Sequence, residues 1–229
     1  MPLNLTICPP TRAVTRDRYT RRMEPTTQAL WEKQDAHKGD RQRLFTAVRE
    51  SVGDGAVLYP GSYVDVAASF AFSTVTYVDM DRRAAQFFGD NHGVLEVIAE
   101  HGGSPAATIE FIHADYTSDL DLRAESFDLL MSLYAGFVSE ACTEYLRVGG
   151  TLLVAPSHGD TAVASIDPRY ELSGVVTSRS GAYRITADDL GSYLNPKKPV
   201  MVTLDYLHKH QRGIPYTKSP FAYLFTRVS

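Results

Sequence analysis

Between Ala56 and Asp81 the chain reads AVLYPGSYVDVAASFAFSTVTYVDMD. Two short apolar runs, Ala56 to Tyr59 and Thr74 to Val78, flank a turn holding Gly61 and a short segment of helical character. The second run is rich in β-branched and aromatic residues, which suit a half-buried or buried strand. It ends on an acid, Asp79. Strand, turn, helix and strand open a βαβ unit. Such a unit commits a chain to parallel strands joined by right-handed crossovers. Parallel strands in turn need helices on both faces of their sheet.

The alternation continues. Asp81 is placed to cap a helix that closes at Gly89, and Val94, Leu95, Val97 and Ile98 continue a helical stretch that stops at Gly102 and Gly103. Thr108 to His113 predicts a third strand, followed by Asp115. Phe127 to Leu133 predicts a fourth, and its unbroken Leu129, Leu130 and Met131 suit a strand covered on both faces. Phe137 to Arg147 has a helical apolar face ended by Gly149 and Gly150, and Thr151 to Ala155 predicts a fifth strand. Upstream, helices are expected over Thr26 to His37 and from an N-cap at Asp40 to Gly53, with Leu44, Phe45, Val48 and Val52 on one face. Downstream, Tyr170 to Ser178 and Ala182 to Ile185 read as a hairpin around Ser180 and Gly181. Thr186 is expected to cap a short helix through Leu194. Val200 to Leu207 and Phe221 to Val228 are expected as final strands. The fold class is therefore α/β: a doubly wound, mostly parallel Rossmann-like sheet with helices on both faces and an antiparallel C-terminal strand. Residues 1–53 are expected as an N-terminal arm and covering helices, and residues 54–229 as one structural unit.

Composition narrows the partners. Apolar residues make up 44% of the 229 and charged residues 22%, enough for a sizeable core. Acids outnumber bases 27 to 23, which lacks the basic footprint of a nucleic-acid binder. Arg12, Arg16, Arg18, Arg21 and Arg22 form a local exception that reads as a solvated arm. Cys8 and Cys142 lie far apart without metal-type spacing, so a reducing compartment is expected. No apolar run reaches membrane-spanning length and no signal-peptide core is present, so the expected location is cytoplasmic.

Ligands in doubly wound sheets bind beyond the carboxyl ends of the strands. That rule selects four loops: Tyr59 to Tyr63, Asp79 to Asp81, His113 to Thr117 and Ser132 to Phe137. They carry LYPGSYVD, VTYVDMD, FIHADY and FDLLMSLY. With GGTLLV at 149–154, these segments resemble the class I S-adenosylmethionine-dependent methyltransferases over roughly residues 40–156. The resemblance implies S-adenosyl-L-methionine as cofactor, held by Tyr59, Pro60, Gly61, Ser62, Asp79, Met80, Asp115, Tyr116 and Ser132. It places the ribose on Asp79, which can accept from both hydroxyls. Adenine would lie beside Asp115 and against the flat face of Tyr116. Tyr134 and His158 would face the acceptor. The first loop departs from the family pattern, because Gly61 stands alone where two or three glycines are usual. Pro60 also removes an amide donor, and Ser62 and Tyr63 replace small residues. Asp65 reads either as a partner for the cofactor's ammonium or as a solvated helix residue. Asp128 reads as structural.

The implied activity is methyl transfer to a small-molecule acceptor. Partners are then that small molecule, neither nucleic acid nor membrane, with a homodimer as an open option. Methyl transfer from a sulfonium is an in-line displacement, so no catalytic residue is specified and none is assigned. No metal is expected, since His208 and His210 lack a third ligand. Two alternatives stay open: a ring-closing use of the same sulfonium, and a non-catalytic scaffold of methyltransferase shape. A nicotinamide oxidoreductase is disfavoured because G-x-G-x-x-G is absent.

Overall fold

A computed structural model of the protein describes residues 22–229. Cys8 and the arginines at 12, 16, 18 and 21 lie outside the described residues. Two helices, α1 (Pro25–Gln34) and α2 (Asp40–Val52), precede the first strand, β1 (Ala56–Pro60). A short α3 (Ala68–Ala71) leads to β2 (Thr74–Val78), and α4 (Arg82–Gly89) and α5 (Asn91–Glu100) lead to β3 (Thr108–Ile112). Then follow β4 (Phe127–Ser132), α6 (Val138–Cys142), β5 (Leu146–Val154), α7 (Asp160–Ile166), β6 (Tyr170–Arg179), β7 (Ala182–Thr186), α8 (Leu204–His210) and β8 (Ala222–Arg227).

All eight strands join one sheet in the order β3-β2-β1-β4-β5-β8-β6-β7. The first five pair in parallel, and β8, β6 and β7 add antiparallel pairings at the far edge. The doubly wound, mostly parallel sheet expected from sequence is thus what forms. Its antiparallel part is three strands wide, because the hairpin β6–β7 attaches through β8.

Alternate residues of each strand face opposite layers, as a two-residue period requires. Val57, Tyr59, Val75, Tyr77, Leu129 and Met131 pack with Leu44, Phe45 and Val48 of α2 and with Phe87 and Val97 of α4 and α5. Leu58, Val78, Leu130 and Leu152 pack on the other face with Val138, Cys142 and Ala164 of α6 and α7 and with Leu207 of α8. Leu44, Phe45, Leu58, Leu130 and Leu152 are fully buried. At about 1.5–3 kcal/mol for each such side chain, these two layers dominate the favourable side of folding.

Four local expectations are corrected. Val200 to Leu207 is not a strand: Thr203 accepts a hydrogen bond from the Tyr206 amide at 3.2 Å and starts α8 at Leu204. The capping hydroxyl outweighs the β-branched run before it. The helix expected through Arg147 ends at Cys142, and one 3-10 turn over Thr143–Tyr145 follows. Gly149 and Gly150 therefore do not stop a helix but lie inside β5, Gly149 at φ +80° beside a register shift against β4. Asp40 is the first residue of α2, and Gly39 stands at the cap position. Thr186 ends β7 and bonds Asp188, and a 3-10 helix forms only over Leu190–Leu194.

Among the described residues no helix is long and apolar enough to cross a membrane, and no group of three His, Cys, Asp or Glu could hold a metal ion. His208 instead meets Glu140 at 2.7 Å, and His210 meets the Tyr206 carbonyl. Asp128 binds the Ala56 amide at 2.8 Å and Arg147 at 2.6 Å, which ties the starts of β1 and β4 to β5.

Candidate cofactor cleft

The first, second and third strands end side by side, and their loops enclose a small cleft. It is lined by Gly61, Asp79, Met80, Ala114, Asp115, Tyr116 and Ala135, with a volume of about 140 Å³. Five of the residues expected to hold a cofactor are thereby brought together: Gly61, Asp79, Met80, Asp115 and Tyr116.

Asp79 is fixed before any ligand arrives. One carboxylate oxygen accepts the Tyr63 amide at 2.6 Å, and the other accepts the Asp81 amide at 2.7 Å. Each oxygen keeps a further lone pair, so hydroxyl donors can still be received. Asp81 then caps α4 by accepting from the Arg83 amide, and Arg83 pulls its carboxyl down to about 2. Asp115 shapes the opposite wall. Its Oδ1 accepts from the Thr117 amide and hydroxyl, which lowers its pKa, and Oδ2 has no partner among the described residues. Tyr116 donates its hydroxyl to the Ala135 carbonyl, which clamps the loop after β4 to the loop after β3.

The first loop shows how one glycine can serve. Gly61 sits at φ +64°, and its amide extends the sheet to the Val78 carbonyl at 2.7 Å. An added Cβ would lie 2.2 Å from Ala135 Cβ. The bare backbone here admits the loop after β4, whereas the sequence suggested it would admit a ligand. The second left-handed position belongs to Tyr63, at φ +50°. That conformation is costly for a bulky side chain. The short Tyr63 N–H bond to Asp79 helps hold it in place of a second glycine.

Four expected cofactor residues lie elsewhere. Tyr59 is buried and donates its hydroxyl to Asp65 at 3.0 Å. Pro60 is buried at the end of β1, and Ser62 is buried with its hydroxyl on the Tyr63 carbonyl. Ser132 is buried and donates to Asp160, a carboxylate that no sequence signal singled out. Asp160 also accepts from the Ser139 amide and hydroxyl. Burial pushes its pKa up to about 6 against those donors. Tyr59 and Ser132 lie on strands covered on both faces, so alternation sends each side chain into one of the two packed layers.

Tyr134 and His158, expected on the acceptor side, do meet at the ends of β4 and β5. Their rings lie 6.5 Å apart, edge to face. Both are exposed, and Tyr134 holds φ +68°. Beneath the Tyr134 ring lies Arg41, in the first turn of α2, with its guanidinium carbon 5.3 Å from the ring centroid. Arg41 Nε is 3.3 Å from Oδ2 of Asp65. Asp65 is only 2% exposed, so it is not a solvated helix residue. Burial raises its carboxyl pKa, against Arg41, the Tyr59 hydroxyl and the nearby Ala67 amide. Arg41 carries no signal in the sequence, because it lies before the motifs on a helix that reads only as a cover.

No protein-family model and no curated protein matches the sequence. Solved structures similar to this chain include an S-adenosylmethionine-dependent methyltransferase from Thermotoga maritima, 10% identical over 89% of this chain and 98% of that one, with a TM-score of 0.47. A protein from Corynebacterium glutamicum is 13% identical over 92% and 93%, TM-score 0.43. An rRNA methylase from Streptococcus thermophilus is 12% identical over 82% and 94%, TM-score 0.43. The chain spans 61% of a similar Methanococcus maripaludis structure and 51% of one from Bacillus halodurans.

Proposed function

We propose that the chain is an S-adenosylmethionine-dependent methyltransferase acting on a small-molecule acceptor. The observation that carries this reading is Asp79, held by two backbone amides at the carboxyl end of β2 and facing a cleft with Asp115 on its other wall. The residues fit the nucleoside part of the cofactor. Asp79 supplies acceptors for a ribose diol, and the free Oδ2 of Asp115 suits an exocyclic amino group. Tyr116 and Met80 offer apolar surface for a base. The volume is below the ~300 Å³ of a pocket that encloses a whole drug-sized ligand. It therefore suits one end of the cofactor, with the remainder passing along the β1 and β4 loops.

When bound, the cofactor supplies a methyl group already activated by its sulfonium. The work left to this chain is positioning and exclusion of water. Tyr134 and His158 border the acceptor side, where their rings orient a flat or apolar acceptor. No proton relay is assigned, because a base is needed only if the acceptor must lose a proton.

Calorimetric titration with S-adenosylmethionine tests the reading. Binding is expected in the wild type and its loss in Asp79→Ala, with the fold checked by thermal unfolding. No binding at millimolar cofactor, or unchanged affinity in the variant, overturns it.

A further inference from the structure

Arg41 in α2 and Asp65 after the first loop are left with unused hydrogen-bonding atoms. Tyr59 Oη and Arg41 Nε both address Oδ2 of Asp65, at 3.0 and 3.3 Å. Oδ1 of Asp65 and Nη1 of Arg41 are buried and have no hydrogen-bond partner. A guanidinium and a carboxylate this close normally meet as a two-point fork. Here they touch at one point, and one donor and one acceptor remain over. An unmade bond at a buried charged group is costly, so such atoms call for an explanation.

The leftover pair has the polarity of an amino acid's head group. A donor fixed on a permanent cation matches a carboxylate, and an acceptor on a buried carboxylate matches an ammonium. The cover over the pair is a single exposed ring. Tyr134 lies on the Arg41 guanidinium, is 47% exposed, and sits at φ +68° in a loop whose neighbour Gly136 is at φ +96°. The ring is open on its solvent side, so its rotation about the side-chain bonds would open the pair without disturbing the core.

We propose that Arg41 and Asp65, under the Tyr134 ring, form a receptor for a zwitterionic α-amino-acid group: Arg41 takes the carboxylate and Asp65 the ammonium. Two sources supply that chemistry. One is the amino-acid tail of S-adenosylmethionine, and this arm rests on the function proposed above. The other is a free amino acid as acceptor. The receptor also accounts for the glycine-poor first loop, since side chains then do what loop amides do elsewhere.

The test compares ligands that differ only in that group. S-adenosylhomocysteine and methylthioadenosine share the nucleoside, and only the first carries the zwitterion. Calorimetry is expected to show the wild type binding S-adenosylhomocysteine at least about tenfold tighter. Arg41→Gln and Asp65→Asn should erase that preference while leaving methylthioadenosine affinity unchanged, which also reports that each variant is folded. Binding of free methionine or glutamate without nucleoside, lost in both variants, supports the receptor with an amino-acid acceptor as its source. The receptor is overturned if the wild type does not distinguish the two nucleosides and binds no free amino acid. It is equally overturned if the variants weaken both nucleosides alike. Failure of the cofactor reading looks different: neither nucleoside binds, or Asp79→Ala changes neither.

Discussion

Gly61 and Ala135 show how much one hydrogen can decide. The loops after β1 and β4 touch only because Gly61 has no Cβ, and that contact sets the width of the cleft. Gly61→Ala is expected to destabilise the fold by about 3 kcal/mol, from the left-handed backbone and from the overlap together. Ala135→Gly in the same chain removes the overlap but not the backbone cost, so part of the loss should return. Urea unfolding of the two single variants and the double variant measures this, and an additive double variant would contradict the contact. Asp79 is a different case. The acid was legible from its place after an apolar strand, but its two amide partners were not. Tyr63 donates from a conformation that nothing in the letters SYVD announces.

At the scale of elements, Asp160 joins three that are remote in sequence. From the first turn of α7 it accepts from Ser132 at the end of β4 and Ser139 in α6. Its folded pKa of about 6 exceeds the ordinary carboxyl value of about 4. Between those pH values the folded chain binds more protons than the unfolded chain, so stability falls as pH rises. The contribution is fully present below about pH 4, and up to about 3 kcal/mol is lost by the time pH passes 6. Asp160→Asn should flatten that part of the curve of unfolding free energy against pH. An unchanged slope would mean the carboxyl titrates elsewhere. Elements set by strong periodicity, such as the helix carrying Leu44, Phe45 and Val48, were legible. The segment before α8 was not. Val200, Val202 and Thr203 favour a strand locally, but no sheet edge receives them, and the Thr203 cap then decides.

Over the whole molecule, α2 spans the join between the parallel strands and the antiparallel edge. Arg43 donates to the Gly181 carbonyl at the hairpin tip, and the Tyr183 hydroxyl reaches Asp40 at 2.9 Å. On its other side α1 steadies it, through Trp31 in the core and Asp35 accepting from the Gly39 amide. Removing residues 1–37 should loosen the start of α2, displace Arg41, and weaken S-adenosylmethionine binding by at least about tenfold. Calorimetry on the shortened chain reads this directly, and unchanged affinity would detach α1 from the site. The class of fold, the five parallel strands and the acids Asp79 and Asp115 are legible in the amino-acid order alone. Each of these follows from local patterning: apolar runs of strand length, helical spacing between them, and a polar residue where a strand must end. That Gly61 makes room for Ala135, that Ser132 turns to Asp160, and that Arg41 meets Asp65 under Tyr134 emerges only once the chain is folded. Those pairings join residues 24 to 93 positions apart, and no local preference encodes which side chain closes a gap left by another.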